Sequence, residues 1–122
     1  MKNRQQLLMS VALSALQAPK LTPAVSIEDA KTMCHQAGAW LAQSGLSAAM
    51  DAVARYQHAQ VSAWLKTAYI DALNELGRPP QGDLREWAIR LDSVENLRVT
   101  RDLMEFNHTL TRVVRLKKEG LL

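Results

Sequence analysis

Apolar residues recur at spacings of three and four along most of the chain, and this period places them on one face of an α-helix. Nowhere do apolar and polar residues alternate in a β-branched context, as they would in a half-buried strand. The first periodic segment, from about residue 3 to 17, contains a single apolar stripe: Leu7, Leu8, Val11, Ala15 and Leu16. We therefore predict an all-α fold, a single compact bundle of five to six helices.

Turn-forming residues divide the N-terminal half of the chain into three helices. Pro19 and Pro23 indicate a loop after the first helix. Ser26, followed three residues later by Asp29, is typical of a capping box and predicts the start of the second helix. Gly45 predicts its end, because glycine tolerates the left-handed conformation common at helix C-termini. The apolar residues after Gly45 predict a third helix, packed side by side with the second as its antiparallel neighbour across a tight corner.

The C-terminal half contains three more predicted helices. The first is expected from about residue 59 to 76, where the glycines and prolines of residues 77–82 end it. Asp83 can cap the short helix that follows. The last and longest helix is expected from about residue 92 or 93 to 119. The stretch rich in glycine and proline is too short to separate independent domains, so we expect one helical domain over residues 1–122.

The composition agrees with a folded protein that has one hydrophobic core. Of the 122 residues, 48% are hydrophobic and 22% are charged, which argues against global disorder. The single cysteine, Cys34, excludes an intramolecular disulfide and agrees with a reducing cytosol. Polar residues interrupt the apolar N-terminal stretch at helical spacing, so we expect no secretory signal there. No segment approaches the roughly 18 apolar residues of a membrane span, and we expect a cytoplasmic protein without a membrane partner.

Residue types that carry chemistry are present but do not form a recognisable site. His35, His58 and His108 are spread over three predicted helices. Cys34 is adjacent to His35 and not three or four residues from it, as two metal ligands on one helix face would be. The chain has no nucleophile elbow and no glycine-rich phosphate loop. We therefore predict no catalytic residues, no metal and no cofactor, and a protein that is not an enzyme.

Basic residues are concentrated near the two ends of a chain whose net charge is +3. Residues 1 to 27 contain no acidic residue and three basic ones: Lys2, Arg4 and Lys20. Along the last helix, one cationic strip is predicted from Arg101, Arg112, Arg115 and the pair Lys117 and Lys118. Such a strip binds phosphates regardless of base sequence, because each neutralised phosphate releases a counterion. The alternative is that these charges only solvate the outer face of an amphipathic helix.

The three tryptophans, Trp40, Trp64 and Trp87, fall on apolar helix faces. We interpret them as core or interface residues, so few aromatic side chains remain for stacking on bases. This favours contacts with a nucleic-acid backbone over readout of the base sequence.

Two short segments of the chain have recognisable patterns. Gly38 to Val53 reads GAWLAQSGLSAAMDAV, a helix, a Ser-Gly-Leu corner and a second helix. Asn96 to Arg112 reads NLRVTRDLMEFNHTLTR and contains a Thr-Arg-acidic triplet. Both segments resemble segments of the small subunit of Cmr-type (type III-B) CRISPR effector complexes. Their order and their separation along the chain agree with that family as well. The chain departs from that family at Ser44 and Asp102, where asparagine and glutamate are usual, and at two threonines of the last helix.

The resemblance implies a non-catalytic subunit of a cytoplasmic ribonucleoprotein that serves antiviral defence. A few small-subunit copies would stack as a helical filament along the guide-target duplex, while other subunits cut RNA and perform signalling chemistry. The implied partners are guide RNA and target RNA through their backbones, other Cmr-type subunits, and neighbouring copies of the chain. The residues predicted to face RNA or a neighbour are Arg4, Arg101, Arg112, Arg115, Lys117 and Lys118, together with Lys2 and Arg98.

Two other functions are compatible with the sequence. A helical protein-interaction module, such as an adaptor or a mobile-element regulator, would use exposed apolar patches and would not bind RNA. A DNA-binding helix-turn-helix protein would use the corner at Gly45. The segment after that corner, LSAAMDAVARY, lacks the polar face of a recognition helix.

Overall fold

The computed structural model describes residues 3–122, and this part of the chain contains helices and no strand. The helices are α1 (Arg4–Ala15), α2 (Ile27–Ala54), α3 (Ala59–Glu75), α4 (Leu84–Arg90) and α5 (Ser93–Lys118). The predicted all-α class and the long C-terminal helix are therefore confirmed. Within the same residues, no helix combines the length and the apolar character that a bilayer crossing needs. Lys2, one of the predicted RNA-facing residues, lies outside the described residues.

Side-chain caps explain where the helices begin. Asn3 and Ser26 each accept a backbone N–H in a capping box, and the box of Ser26 with Asp29 is the predicted one. Asp83 and Asp92 cap α4 and α5, each accepting the backbone N–H three residues further along. These hydrogen bonds satisfy N–H groups that have no partner inside their own helix.

The helix α2 bends at Gly45, the residue predicted to form a corner. Gly45 has φ 79° and ψ −178°, so the backbone leaves the helical region for one residue and two helical segments meet there. This combination of φ and ψ is almost confined to glycine, because a Cβ atom would crowd the neighbouring backbone. The second and third predicted helices are thus the two halves of one kinked element. The prediction that they are antiparallel neighbours is wrong, because both halves follow α5 in the same direction.

A Schellman motif ends α3 and turns the chain toward α5. The Gly77 N–H donates to the Asn74 carbonyl and the Arg78 N–H donates to the Leu73 carbonyl. Gly77 has φ 77°, which the motif requires. The turn brings the Arg78 side chain to α5, where it pairs with two carboxylates.

The helices α2 and α5 run antiparallel and form the centre of the bundle. Three contacts fix their relative direction: Glu28 with Lys118, Cys34 with Asn107, and Ser47 with Asn96. The helices α1 and α3 pack against α5 and against each other, while α4 packs on α2. The side chains buried between them are mainly aliphatic, and burying one fully contributes about 1.5–3 kcal/mol.

The three tryptophans pack on this core, as predicted. Trp64 is buried, and its indole N–H donates to the Ala15 carbonyl over 2.9 Å. Trp40 and Trp87 are partly buried against the core, and the Trp40 ring meets the Tyr56 ring edge to face at 6.4 Å. All three indoles are therefore used in packing.

A polar link crosses the core where Tyr69 on α3 meets Asn107 on α5. The Tyr69 hydroxyl donates to Asn107 Oδ1 over 2.6 Å, and Asn107 Nδ2 donates to the Cys34 carbonyl on α2 over 2.9 Å. Burial raises the pKa of the Tyr69 phenol well above its ordinary value, so the hydroxyl keeps its proton and remains a donor. Two buried hydrogen bonds thus hold three helices in register.

Candidate nucleic-acid interface

The helix α5 has one buried apolar face and one exposed charged face. The buried face consists of Val99, Leu103, Phe106, Leu110, Val113 and Val114. Arg101, His108, Arg112 and Arg115 are exposed on the other side. With 3.6 residues per turn, these four positions fall in a sector of about 60° around the axis and along about 21 Å of its length. Three of the predicted arginines therefore form one row, which we call the α5 arginine row: Arg101, Arg112 and Arg115.

The α5 arginine row differs from the other arginines because its members have no partner inside the chain. Of the nine arginines, all within residues 3–122, six contact an acceptor: Arg4, Arg55, Arg78, Arg85, Arg90 and Arg98. Arg101, Arg112 and Arg115 form no ion pair or hydrogen bond with another described residue. A guanidinium in this state keeps all its N–H donors available for an external anion. The exposed face of α5 is thus where the fold leaves arginine charge uncompensated.

Arg4 lies beside this face but is neutralised within the chain. Its Nη2 donates to Asp102 Oδ1 over 2.6 Å, and its Nε donates to Glu105 Oε2 over 3.0 Å. Asp102 also accepts from Arg78 Nε over 2.9 Å. The hydrogen bond to Asp102 is the main cause that raises the pKa of the Arg4 guanidinium. Arg98 is likewise paired with a carboxylate of α5, at 3.2 Å. An RNA phosphate would have to compete with carboxylates for either side chain.

The two lysines near the end of α5 do not extend the arginine row. Lys117 is exposed but lies about 160° around the helix axis from Arg101, at about 100° per residue. Lys118 pairs with Glu28 on α2, and the hydrogen bond between them raises the pKa of the Lys118 ammonium. Both lysines lie in the last turn, where a cation offsets the partial negative charge of the helix C-terminus. The cationic strip is therefore shorter and narrower than the sequence pattern predicts.

An apolar patch borders the arginine row at the start of α5. Val94 and Leu97, three residues apart on α5, are more than half exposed. Leu97 precedes Arg101 by one turn on the same side of the helix. Exposed apolar side chains mark contacts with other proteins when they lie together. The exposed side of α5 is thus apolar near its N-terminus, and the α5 arginine row follows further along the helix.

A groove runs between α2 and α5 and ends at Arg115. It has a volume of about 310 Å³. The residues that line it are Cys34, His35, Gly38, Met104, Asn107, His108, Thr111 and Arg115. This groove could not be predicted from the sequence, because its two sides are far apart along the chain and only the antiparallel pairing of α2 and α5 brings them together.

Cys34 and the histidines do not form a reactive cluster. No group of three or more His, Cys, Asp or Glu side chains in residues 3–122 is placed to hold a metal ion. Burial raises the pKa of the Cys34 thiol to about 12, so the sulfur is protonated at neutral pH and is a poor nucleophile. Cys34 is thus a small buried side chain of α2.

The two segments with recognisable sequence patterns, residues 38–53 and 96–112, contact each other in the fold. Asn96, which begins the second segment, donates from Nδ2 to Ser47 Oγ of the first over 3.4 Å. In the Thr-Arg-acidic triplet, the Thr100 hydroxyl donates to the Asn96 carbonyl, Arg101 is exposed, and Asp102 binds two arginines. Comparison with protein-family models, curated proteins and solved structures finds no match to this chain.

Proposed function

We propose that the protein is a non-catalytic RNA-binding subunit of a cytoplasmic ribonucleoprotein, the small subunit of a Cmr-type (type III-B) CRISPR effector complex. In this role a few copies stack along the guide-target duplex, stabilise the complex and bind the target RNA backbone as part of antiviral defence. The observation that supports RNA binding most directly is the α5 arginine row, whose three members have no partner among residues 3–122. The resemblance of two segments to the Cmr small subunit suggests the kind of complex.

Arginines without an internal partner suit RNA phosphates for two reasons. A guanidinium binds a phosphate through paired N–H donors, and each neutralised phosphate releases a counterion. Because the three arginines project from one helix packed on the core, their backbone positions are fixed before RNA arrives. Binding then has to order only the side chains, which lowers its entropic cost. With the tryptophans used in packing, the expected binding is insensitive to base sequence.

The apolar patch beside the row supports contacts with other subunits. Val94 and Leu97 would pack on a neighbouring copy or on another subunit while the arginines face RNA. The same exposed residues favour the second candidate function, a helical adaptor or mobile-element regulator that does not bind RNA. The two candidates differ in whether the arginine row changes RNA affinity.

The salt dependence of RNA binding tests the proposal. We compare the double variant R101Q/R112Q with the matched variant K66Q/R90Q, which removes the same charge from α3 and α4. Fluorescence anisotropy with two unrelated single-stranded RNAs, from 50 to 200 mM salt, gives log K against log salt. Each phosphate contact on a single strand contributes a slope of about −0.7, so R101Q/R112Q should be less steep than wild type by about 1.4. The control should keep the wild-type slope.

Three outcomes contradict the proposal. The first is an equal slope for R101Q/R112Q and K66Q/R90Q, which would mean that the arginine row contributes only net charge. The second is a large difference between the two RNAs, because backbone contacts carry no base information. The third is absence of RNA binding by the wild-type chain, which would favour the adaptor.

A further inference from the structure

The groove between α2 and α5 has cationic and hydrogen-bonding groups but no carboxylate in its lining. Arg115 lies at one end, without a partner among residues 3–122. The imidazoles of His35 and His108 are exposed, one on each helix, and neither forms a hydrogen bond within the described part of the chain. Even a neutral imidazole offers one N–H donor. These groups favour an anion in the groove over a cation.

The floor of the groove offers a donor and an acceptor next to this cationic end. Asn107 Nδ2 uses one N–H for the Cys34 carbonyl, which leaves its second N–H. The Thr111 hydroxyl donates to the Asn107 carbonyl over 2.7 Å, so its oxygen remains an acceptor. Gly38 lies over this floor, where a Cβ atom would stand 2.9 Å from Asn107 Nδ2. The absence of a side chain at position 38 therefore lets α2 approach α5 closely, with the mostly buried Asn107 amide at the bottom of the groove.

We propose that this groove holds a single nucleotide, with its phosphate at Arg115 and the two imidazoles and with the rest of the nucleotide along Gly38 and the floor. The volume of about 310 Å³ lies at the small end of ligand pockets and suits one such unit. The nucleotide is either one unit of an RNA chain or a free mononucleotide. As part of an RNA chain, this subsite rests on the proposed function; as a site for a free mononucleotide, it does not.

A titration with uridine 5′-monophosphate tests the site. Amide chemical shifts of the ¹⁵N-labelled chain are followed for wild type, R115Q and the matched control R90Q, with uridine as the probe that lacks a phosphate. The wild type should show saturable shifts at residues 34–38 and 107–115. Because a hydrogen bond to a charged group is lost, R115Q should weaken the binding about tenfold, whereas R90Q should bind as wild type does. Uridine should bind more weakly than its monophosphate.

A second variant, H108A, keeps the test informative if R115Q perturbs the end of α5. H108A removes one imidazole donor from an exposed position and should weaken binding severalfold. A single-stranded RNA added to the saturated complex identifies the source of the nucleotide. Displacement of the monophosphate assigns the groove to RNA, and retention assigns it to free mononucleotides; both outcomes support the site.

Any one of three results would overturn the inference. The chemical shifts could fail to saturate, R115Q and R90Q could weaken binding equally, or uridine could bind as tightly as its monophosphate. These failures are distinguishable from failure of the proposed function. If the monophosphate does not bind while R101Q/R112Q still makes RNA binding less dependent on salt, only the assignment of the groove as a nucleotide site is wrong. If the monophosphate binds through Arg115 while R101Q/R112Q leaves the slope of log K against log salt unchanged, only the assignment of the α5 arginine row to RNA is wrong.

Discussion

Replacement of Asp102 by asparagine tests how much the ion pairs between helices stabilise the fold. The Asp102 side chain is only 10% exposed and accepts from Arg4 on α1 and from Arg78 after α3. D102N removes the charge from two charge-assisted hydrogen bonds, each worth about 1.5–3 kcal/mol when fully formed. The side chains of Arg4 and Arg78 are 47% and 31% exposed, so solvation of these guanidinium groups by water offsets part of the lost stability. We expect the free energy of unfolding to fall by about 2 kcal/mol.

Urea unfolding at pH 7, followed by circular dichroism, measures this change. The matched control is E105Q, because Glu105 is exposed and, among residues 3–122, its carboxylate pairs with Arg4 alone. An exposed pair contributes about 0–1 kcal/mol, so E105Q should be clearly more stable than D102N. The reasoning is refuted if D102N unfolds at the same urea concentration as E105Q, or if the slope with urea changes instead of the midpoint.

Two further changes probe the core and the kink. The buried neutral Cys34 thiol has a pKa raised from 9.0 to about 12, so its contribution to stability is complete below pH 9 and is lost as the pH rises toward 12. Between these limits wild type should lose up to about 1.4 kcal/mol per pH unit relative to C34A; parallel urea stability curves from pH 8 to 11 would contradict this. G45A should lower the stability by about 1–3 kcal/mol, because alanine is strained at this φ and ψ. An unchanged thermal midpoint would show that α2 straightens without cost.

The fold could be predicted because its signals are local. The caps at Ser26 and Asp83 lie within one turn of the N–H groups that they bind, so sequence spacing alone identifies them. The kink at Gly45 could be predicted for a similarly local reason, because its backbone conformation excludes most other residues. Asn3 also caps a helix, and the same rule would have placed the start of α1 at Arg4.

The candidate site could be predicted only in part, because ion pairing is not local. Helical periodicity places Arg101, Arg112 and Arg115 on the outer side of α5, opposite the apolar stripe. The carboxylates that neutralise Arg4 are about a hundred residues away and become neighbours only after folding. The same holds for Glu28 and Lys118, which are 90 residues apart in the sequence. Sequence spacing thus identifies candidate cations but not which of them remain free.

The pairing of α2 with α5 has a consequence for how the chain reaches its folded state. Cys34 and Asn107 are separated by 73 residues, so their contact closes a loop that contains most of the protein. Contacts between such distant residues slow folding compared with contacts between neighbours. Until α5 docks, the inner face of α2 lacks its main cover and remains open to self-association. Solubility during synthesis therefore depends on the helix that leaves the ribosome last among the five.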